Sequence, residues 1–132
     1  MGKALIDANV LVAFAREKDA SHADAVALMA KIRGNCEVWV LNLVVQESAT
    51  VVSMRDGMDQ ARVFYDGYNS LVQMEIDLDE ELEKLAWKIF LQQHKKGTSF
   101  VDCANMAVIE KYRLDGILSF DTFYPKELRI GV

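Results

Sequence analysis

The sequence predicts an α/β fold: a mainly parallel central sheet of four to five strands flanked by helices, in a single domain over residues 1–132. Three observations predict it. Short runs such as Ala4–Ile6 and Val38–Leu41 are apolar at successive positions, as in strands buried on both faces beneath helices. Stretches of helical periodicity alternate with these runs. Two of the runs end in a carboxylate, Asp7 and Asp121, at the sheet edge where open α/β folds bind ligands.

Taken in order, KALIDANVLVAF (Lys3 to Phe14) reads as strand, Asp7, turn and helix. Arg16 to Asp19 is a loop. Ser21 can cap a helix running to Ile32, with Ala25, Leu28, Met29 and Ile32 on one face and Gly34 as its stop. His22 in its first turn has no second histidine at ligand spacing, so a surface or capping role is expected. Val38–Leu41 is the second strand, and Asn42 can cap a helix that carries Glu47 among apolar or neutral residues. Gly57 breaks that helix, Asp59–Tyr68 forms another, and Leu71–Ile76 is the third strand. Asp79 caps a long helix with Glu80, Glu81 and Glu83 at its positive end, a core stripe of Leu82, Leu85, Ala86, Ile89 and Phe90, and a basic finish at His94-Lys95-Lys96-Gly97. Ser99 caps the next helix, with Met106 and Ile109 on its inner side. Gly116–Ser119 is the fourth strand, and Leu128–Ile130 is a candidate short edge strand.

Composition bounds the function. With 132 residues and 52% hydrophobic content the chain can bury one core. Its apolar runs fall far short of the ~20 residues a membrane helix needs, and Asp7 and Asn9 interrupt the only signal-like stretch, so a soluble, cytoplasmic protein with no membrane partner is expected. Cys36 and Cys103 lack C-x-x-C spacing and read as reduced thiols. A net charge of −5 argues against broad, nonspecific nucleic-acid binding. It leaves room for nucleic acid at an acidic site neutralised by cations.

Four carboxylates share similar addresses: Asp7 and Asp121 past strand ends, Asp102 in a helix's first turn, and Glu47 about a turn and a half into the helix after the second strand. Each has an ordinary alternative. Asp7 or Asn9 can merely cap a helix, Glu47 can face solvent, and Ser99 with Asp102 resembles a capping box. Converging at one edge, the four would raise one another's pKa values unless a divalent cation intervened. Oxygen ligands without sulfur or paired histidines favour Mg²⁺ or Mn²⁺ over zinc. Asn9 and Ser119 can orient the acids by hydrogen bonds.

The order and setting of these residues resemble the PIN-domain ribonucleases, most closely the VapC-type toxins of toxin–antitoxin pairs, over essentially the whole chain. Asp7 in LIDANVLV matches the family's early strand-end acid, with Asn9 as its polar support; Glu47 in VVQESATVV matches the helix acid. Asp102 in SFVDCANMAVIE matches the acid opening the late helix. Asp121 in ILSFDTFY matches the acid after the last core strand, with Ser119 as its hydroxyl neighbour. The resemblance implies a Mg²⁺- or Mn²⁺-dependent endoribonuclease acting on RNA, often dimeric and held inactive by a cognate antitoxin. An RNA-processing nuclease without an antitoxin is an alternative.

Two other classes stay open on residues alone. A receiver or haloacid-dehalogenase-like phosphotransfer domain also places Asp at strand ends around Mg²⁺, although Asp7-Ala8-Asn9 lacks the Asp-x-Asp of the latter. A non-enzymatic binding module would use the acids as caps and surface charge. Lys95 and Lys96, just before Ser99, can hold an RNA backbone or simply satisfy a helix end. Trp87 and Leu91 share a face off the core stripe, and suit a homodimer or antitoxin contact or burial beneath the Asp59–Tyr68 helix.

Overall fold

Ala4, Leu5 and Ile6 are fully buried in β1 (Gly2–Ile6), which lies inside a four-stranded sheet. The computed structural model describes residues 2–131. After β1 come α1 (Ala8–Ala15), α2 (His22–Ile32), β2 (Cys36–Leu41), α3 (Asn42–Asp56), α4 (Met58–Gly67), β3 (Met74–Ile76), α5 (Glu80–Leu91), α6 (Phe100–Tyr112) and β4 (Gly116–Leu118). Single 3₁₀ turns follow α4 and precede the tail. The sheet order is β3-β2-β1-β4 and every pairing is parallel, as the unbroken apolar runs require. Chain order runs outward from β1 through β2 to β3, then returns to the other side of β1 as β4. That reversal is a topological switch point, and it falls between the ends of β1 and β4.

The register fixes what sits there. Ile6 pairs with Leu118, and the Asp7 N–H donates to the Leu118 carbonyl at 3.0 Å, so Asp7 and Ser119 emerge side by side. Leu5, Leu11, Val40, Leu41, Val44, Val108 and Leu118 fill the core around them.

Several expected elements shift, each for a local reason. The third strand shortens from Leu71–Ile76 to Met74–Ile76. Ahead of it the Gln73 side-chain oxygen accepts the Val38 N–H at 2.7 Å, and the Gln73 N–H donates to the Val38 carbonyl at 2.9 Å. The long helix stops at Leu91, and His94 to Gly97 form a turn in which Gly97 takes a positive φ of 81°. Lys95 and Lys96 are therefore exposed turn residues and not a basic helix end. Ser21 precedes α2 but makes no side-chain cap bond; the Asp19 carboxylate accepts its N–H instead. His22 is half-buried and takes the capping role, at α1 and not at its own helix: its Nδ1 donates to the Ala13 carbonyl at 2.8 Å, in the last turn of α1. Asn42 is the first residue of α3, and its side-chain oxygen accepts from Leu43 and Leu78 N–H groups. The tail contributes one bridge, Ile117 to Arg129, and no fifth strand among the described residues.

Asp79 and Ser99 cap α5 and α6 as the sequence predicts, accepting from Leu82 N–H at 2.9 Å and Asp102 N–H at 3.4 Å. Of the α5 stripe only Leu82 and Ala86 are fully buried, while Leu85, Ile89 and Phe90 are partly covered. Trp87 is not buried beneath α4. Its ring leans on Phe100 at 4.6 Å and Phe90 at 5.8 Å, and it remains 46% exposed beside Leu91 at 74%. Cys36 and Cys103 are free. No described helix is long and apolar enough to cross a membrane.

Candidate active site

Asp7 is almost wholly buried, so its charge must be solvated by the protein itself. The strand end and helix start supply the donors. Its Oδ1 accepts from Ala8 N–H at 2.9 Å, capping α1, and from Asn105 Nδ2 at 3.3 Å; its Oδ2 accepts the Ser119 hydroxyl at 2.7 Å. Asp7 therefore caps α1 with one oxygen while the other turns to Ser119. Burial pushes its carboxyl above the usual carboxylate range against the pull of these bonds, and the charge of Asp121 adds to the rise.

Ser119, the residue after β4, is fully buried and works in both directions. Its single proton goes to Asp7, and its oxygen accepts from Asn9 Nδ2 at 3.2 Å and from the Asp121 N–H at 3.0 Å. Asn9 in turn accepts the Phe120 N–H at 3.2 Å. The loop carrying Asp121 is tied by these bonds to the end of β1. Asp121 also accepts the Phe123 N–H at 2.9 Å, which folds the chain back toward Tyr124.

Asp102 sits in the first turn of α6, where the helix dipole favours an anion. Only one half of a capping box forms among the described residues. Ser99 accepts from Asp102, but the Asp102 carboxylate accepts from Tyr124, its Oδ1 taking the phenol O–H at 3.1 Å. Burial first, then the charge of Asp7, push the Asp102 carboxyl up to about 6; Asp121 and Glu47 add to the rise and the Tyr124 bond opposes it. Glu47 is exposed on α3 and reaches the others through charge alone, its carboxyl raised by lost hydration and then by Asp7.

Two polar residues at this centre escaped the sequence reading. Asn105 and Tyr124 are essentially fully buried, and Asn105 Nδ2 also donates to the Tyr124 hydroxyl at 3.1 Å. Burial and the charges of Asp7 and Asp102 raise the phenol, so it stays a neutral donor. Asn105 carried a signal: it stands three residues after Asp102 on an otherwise apolar helix face. Tyr124 carried none, because an aromatic near a proline in the tail reads as packing.

Asp7, Asp102 and Asp121 thus gather at the switch point with Glu47 at their margin. Lys95 and Lys96 have no ion pair with them, and none of the ion pairs among the described residues reaches any of the four acids. Nor do any three acidic, histidine or cysteine side chains among the described residues close to coordination distance. The donor set is all oxygen and its charge is uncompensated, which fits a hard divalent cation.

The raised Asp102 carboxyl has a consequence for the cation-free chain. Its folded pKa lies above the unfolded value of about 4, so the folded state binds more protons between about 4 and 6. The stability contributed by this group is present at low pH and lost as pH rises through about 6. Asp102→Asn should therefore stabilise the chain in EDTA at pH 7, by about 1 kcal/mol after allowance for solvent screening of this half-exposed group. It should have little effect at pH 4. Urea melts at the two pH values check this; equal effects at both would show that Asp102 does not carry the proton.

A PIN-domain family model matches residues 4–126. A VapC ribonuclease of Archaeoglobus fulgidus is 29% identical over 123 residues, spanning 90% of this chain and 77% of that protein. The crystal structure of Mycobacterium tuberculosis VapC20, described as a Sarcin-Ricin loop cleaving toxin, is similar at a TM-score of 0.80 and 25% identity over 90% of each chain. Rickettsia felis VapBC2, solved bound to a DNA fragment from its promoter, shares the fold at a TM-score of 0.66 and 15% identity, over 92% of this chain and 89% of that one. With the parallel sheet and the acids gathered at its switch point, these matches identify the chain as a member of the PIN-domain family, similar to its VapC-type members.

Proposed function

We propose that this chain is a Mg²⁺- or Mn²⁺-dependent endoribonuclease that hydrolyses RNA phosphodiester bonds, the toxin of a toxin–antitoxin pair. The observation that carries the reading is that Asp7, Asp102 and Asp121 lie close enough at the sheet's switch point for their charges to raise the carboxyls of Asp7 and Asp102, with no cationic side chain in an ion pair with them among the described residues. The Archaeoglobus relative is named a ribonuclease and the Mycobacterium relative a Sarcin-Ricin loop cleaving toxin, which supports the substrate class. A cognate antitoxin is proposed on the likeness to VapC-type relatives, and Rickettsia VapBC2 shares the fold.

Asp7, Glu47, Asp102 and Asp121 would hold the cation. When bound it supplies an activated water and Lewis-acid stabilisation of charge on the scissile phosphate. The chain's own residues do the rest. Ser119 and Asn9 fix Asp7 and the Asp121 loop, while the opening turn of α6 places Asp102 beside them. The phosphotransfer alternative fits less well, because the matches are to PIN-domain proteins and Asp7-Ala8-Asn9 lacks the Asp-x-Asp of a haloacid-dehalogenase-like site.

Asp7→Asn, Asp102→Asn and Asp121→Asn should each lower cleavage of a mixed RNA pool by at least about 100-fold while the circular dichroism spectrum stays folded. Chelation of the cation should do the same to the unaltered chain. Folded variants with near-normal Mg²⁺-dependent cleavage would refute the assignment.

Lys95 and Lys96, exposed in the turn before Ser99, are proposed to contact the RNA backbone. Removing both should flatten the salt dependence of single-strand binding by roughly 0.7 log units per lost contact. An unchanged slope leaves them as solvated charge.

The half-exposed Trp87 with Leu91 is proposed as a homodimer surface, since exposed apolar patches of this kind are uncommon on monomers. Trp87→Lys should shift sedimentation toward a folded monomer. If the folded variant sediments as the unaltered chain does, the surface is not the dimer contact.

A further inference from the structure

Asn105 and Tyr124 stand between two carboxylates that repel each other, and the bonds they make run outward from Asn105 to both. The Asn105 amide gives one proton to Asp7 Oδ1 at 3.3 Å and the other to the Tyr124 hydroxyl at 3.1 Å; the hydroxyl passes its own proton to Asp102 Oδ1 at 3.1 Å. The result is a chain of neutral donors, Asn105 and Tyr124, that ends on an accepting carboxylate at either side, Asp7 and Asp102, and is closed off from solvent at both middle members. The arrangement is not one that packing alone would select. Asn105 Oδ1 is buried without a partner among the described residues, so the amide is kept for its two donors at the cost of an unsatisfied acceptor. An apolar side chain would fill the same space on α6 without that cost. Tyr124 likewise brings its ring against Phe123 at 5.1 Å, a contact phenylalanine could make as well; only the hydroxyl distinguishes it.

We propose that Asn105 and Tyr124 are positioning residues, a neutral hydrogen-bonded bridge that sets the spacing and direction of the Asp7 and Asp102 carboxylates for cation capture. The proposal rests on the nuclease reading above and deepens it. A lysine or arginine in the same place would relieve the repulsion more strongly, but it would compete with the cation for the carboxylates. Neutral donors hold one oxygen of Asp102 and leave the negative charge of the pair uncancelled. The bridge also spans the chain: it joins the end of β1, the second turn of α6 and the tail beyond β4, so it holds three separate segments in one geometry.

The test uses the full chain stripped with EDTA. Mn²⁺ affinity is read by calorimetry, and cleavage of a single-stranded RNA oligonucleotide is followed over a range of Mn²⁺. Tyr124→Phe keeps the ring and removes the hydroxyl; Asn105→Leu keeps the volume and removes both donors. Each should weaken Mn²⁺ binding by about tenfold or more, the usual effect of removing a partner that orients a metal ligand. Each should lower kcat at fixed Mn²⁺ with KM for RNA unchanged. The double variant should be little worse than the worse single one, because the two residues act as one unit. Folded variants whose Mn²⁺ affinity stays within twofold of the unaltered chain, with only the melting temperature lowered, would make the pair a packing feature and overturn the proposal. Both variants melting below the assay temperature would do the same by making it a folding device. If the unaltered chain takes up no Mn²⁺, the nuclease reading falls and the bridge with it. If the unaltered chain binds and cleaves while Tyr124→Phe is unaffected, the bridge alone falls.

Discussion

A buried carboxylate is the constraint on which the rest of this structure depends. Asp7 leaves β1 into an environment with almost no water, and a charge so placed is tolerated only where the protein provides donors for it. Three segments do so: the start of α1 through Ala8 N–H, the end of β4 through Ser119, and α6 through Asn105. Satisfying one side chain therefore requires β4 beside β1 in a fixed register and α6 packed over their ends. A slip of one residue in the β1–β4 pairing would turn Ser119 to the other face and leave Asp7 unsolvated.

The same constraint shapes the electrostatics. Asp7 caps α1 and Asp102 opens α6, so two helix amino termini aim their partial positive charge at the cluster. Those dipoles and the neutral donors reduce the repulsion without cancelling it: burial first, and the neighbouring charges after it, still raise the carboxyls of Asp7, Glu47 and Asp102. The residual negative charge is what a divalent cation would neutralise, and its persistence separates this site from an ordinary buried ion pair. Under the proposed function, that cation would give a chain with a net charge of −5 a route to RNA that its overall charge would otherwise repel.

Packing is uneven in a way that matches this division. Around β1 and the facing sides of α1, α3 and α6, side chains are fully enclosed, which gives the site a rigid base. At the periphery β3 is three residues long, and the α5 stripe is only partly covered. Trp87 and Leu91 stay open to solvent there, and Met54, Met58, Val63 and Tyr65 are exposed on α3 and α4. Rigidity is concentrated where carboxylates must be held and relaxed where surfaces are available to other molecules.

Local chemistry in the sequence determined the order of the elements, the parallel and doubly covered character of the strands, the caps at Asp79 and Ser99, and the carboxylates at strand ends and helix starts. These are written in runs, periods and i to i+3 spacings, and neighbouring residues suffice to read them. The order of four acids was also enough to carry the family resemblance. The tertiary structure decided what depends on distant partners. The α5 helix ends at Leu91 because Gln92, Gln93 and His94 bring no apolar side chain to pack, and helical propensity alone does not extend it. The third strand is short because the Gln73 side chain takes the Val38 N–H in place of a strand backbone. Only the strand order β3-β2-β1-β4 places Asp121 next to Asp7, and only the fold carries Tyr124 to Asp102 across 22 positions and Asn105 to Asp7 across 98. Hydrogen bonds between residues so far apart leave no period in the sequence, so the bridge became legible only once the chain had closed around it.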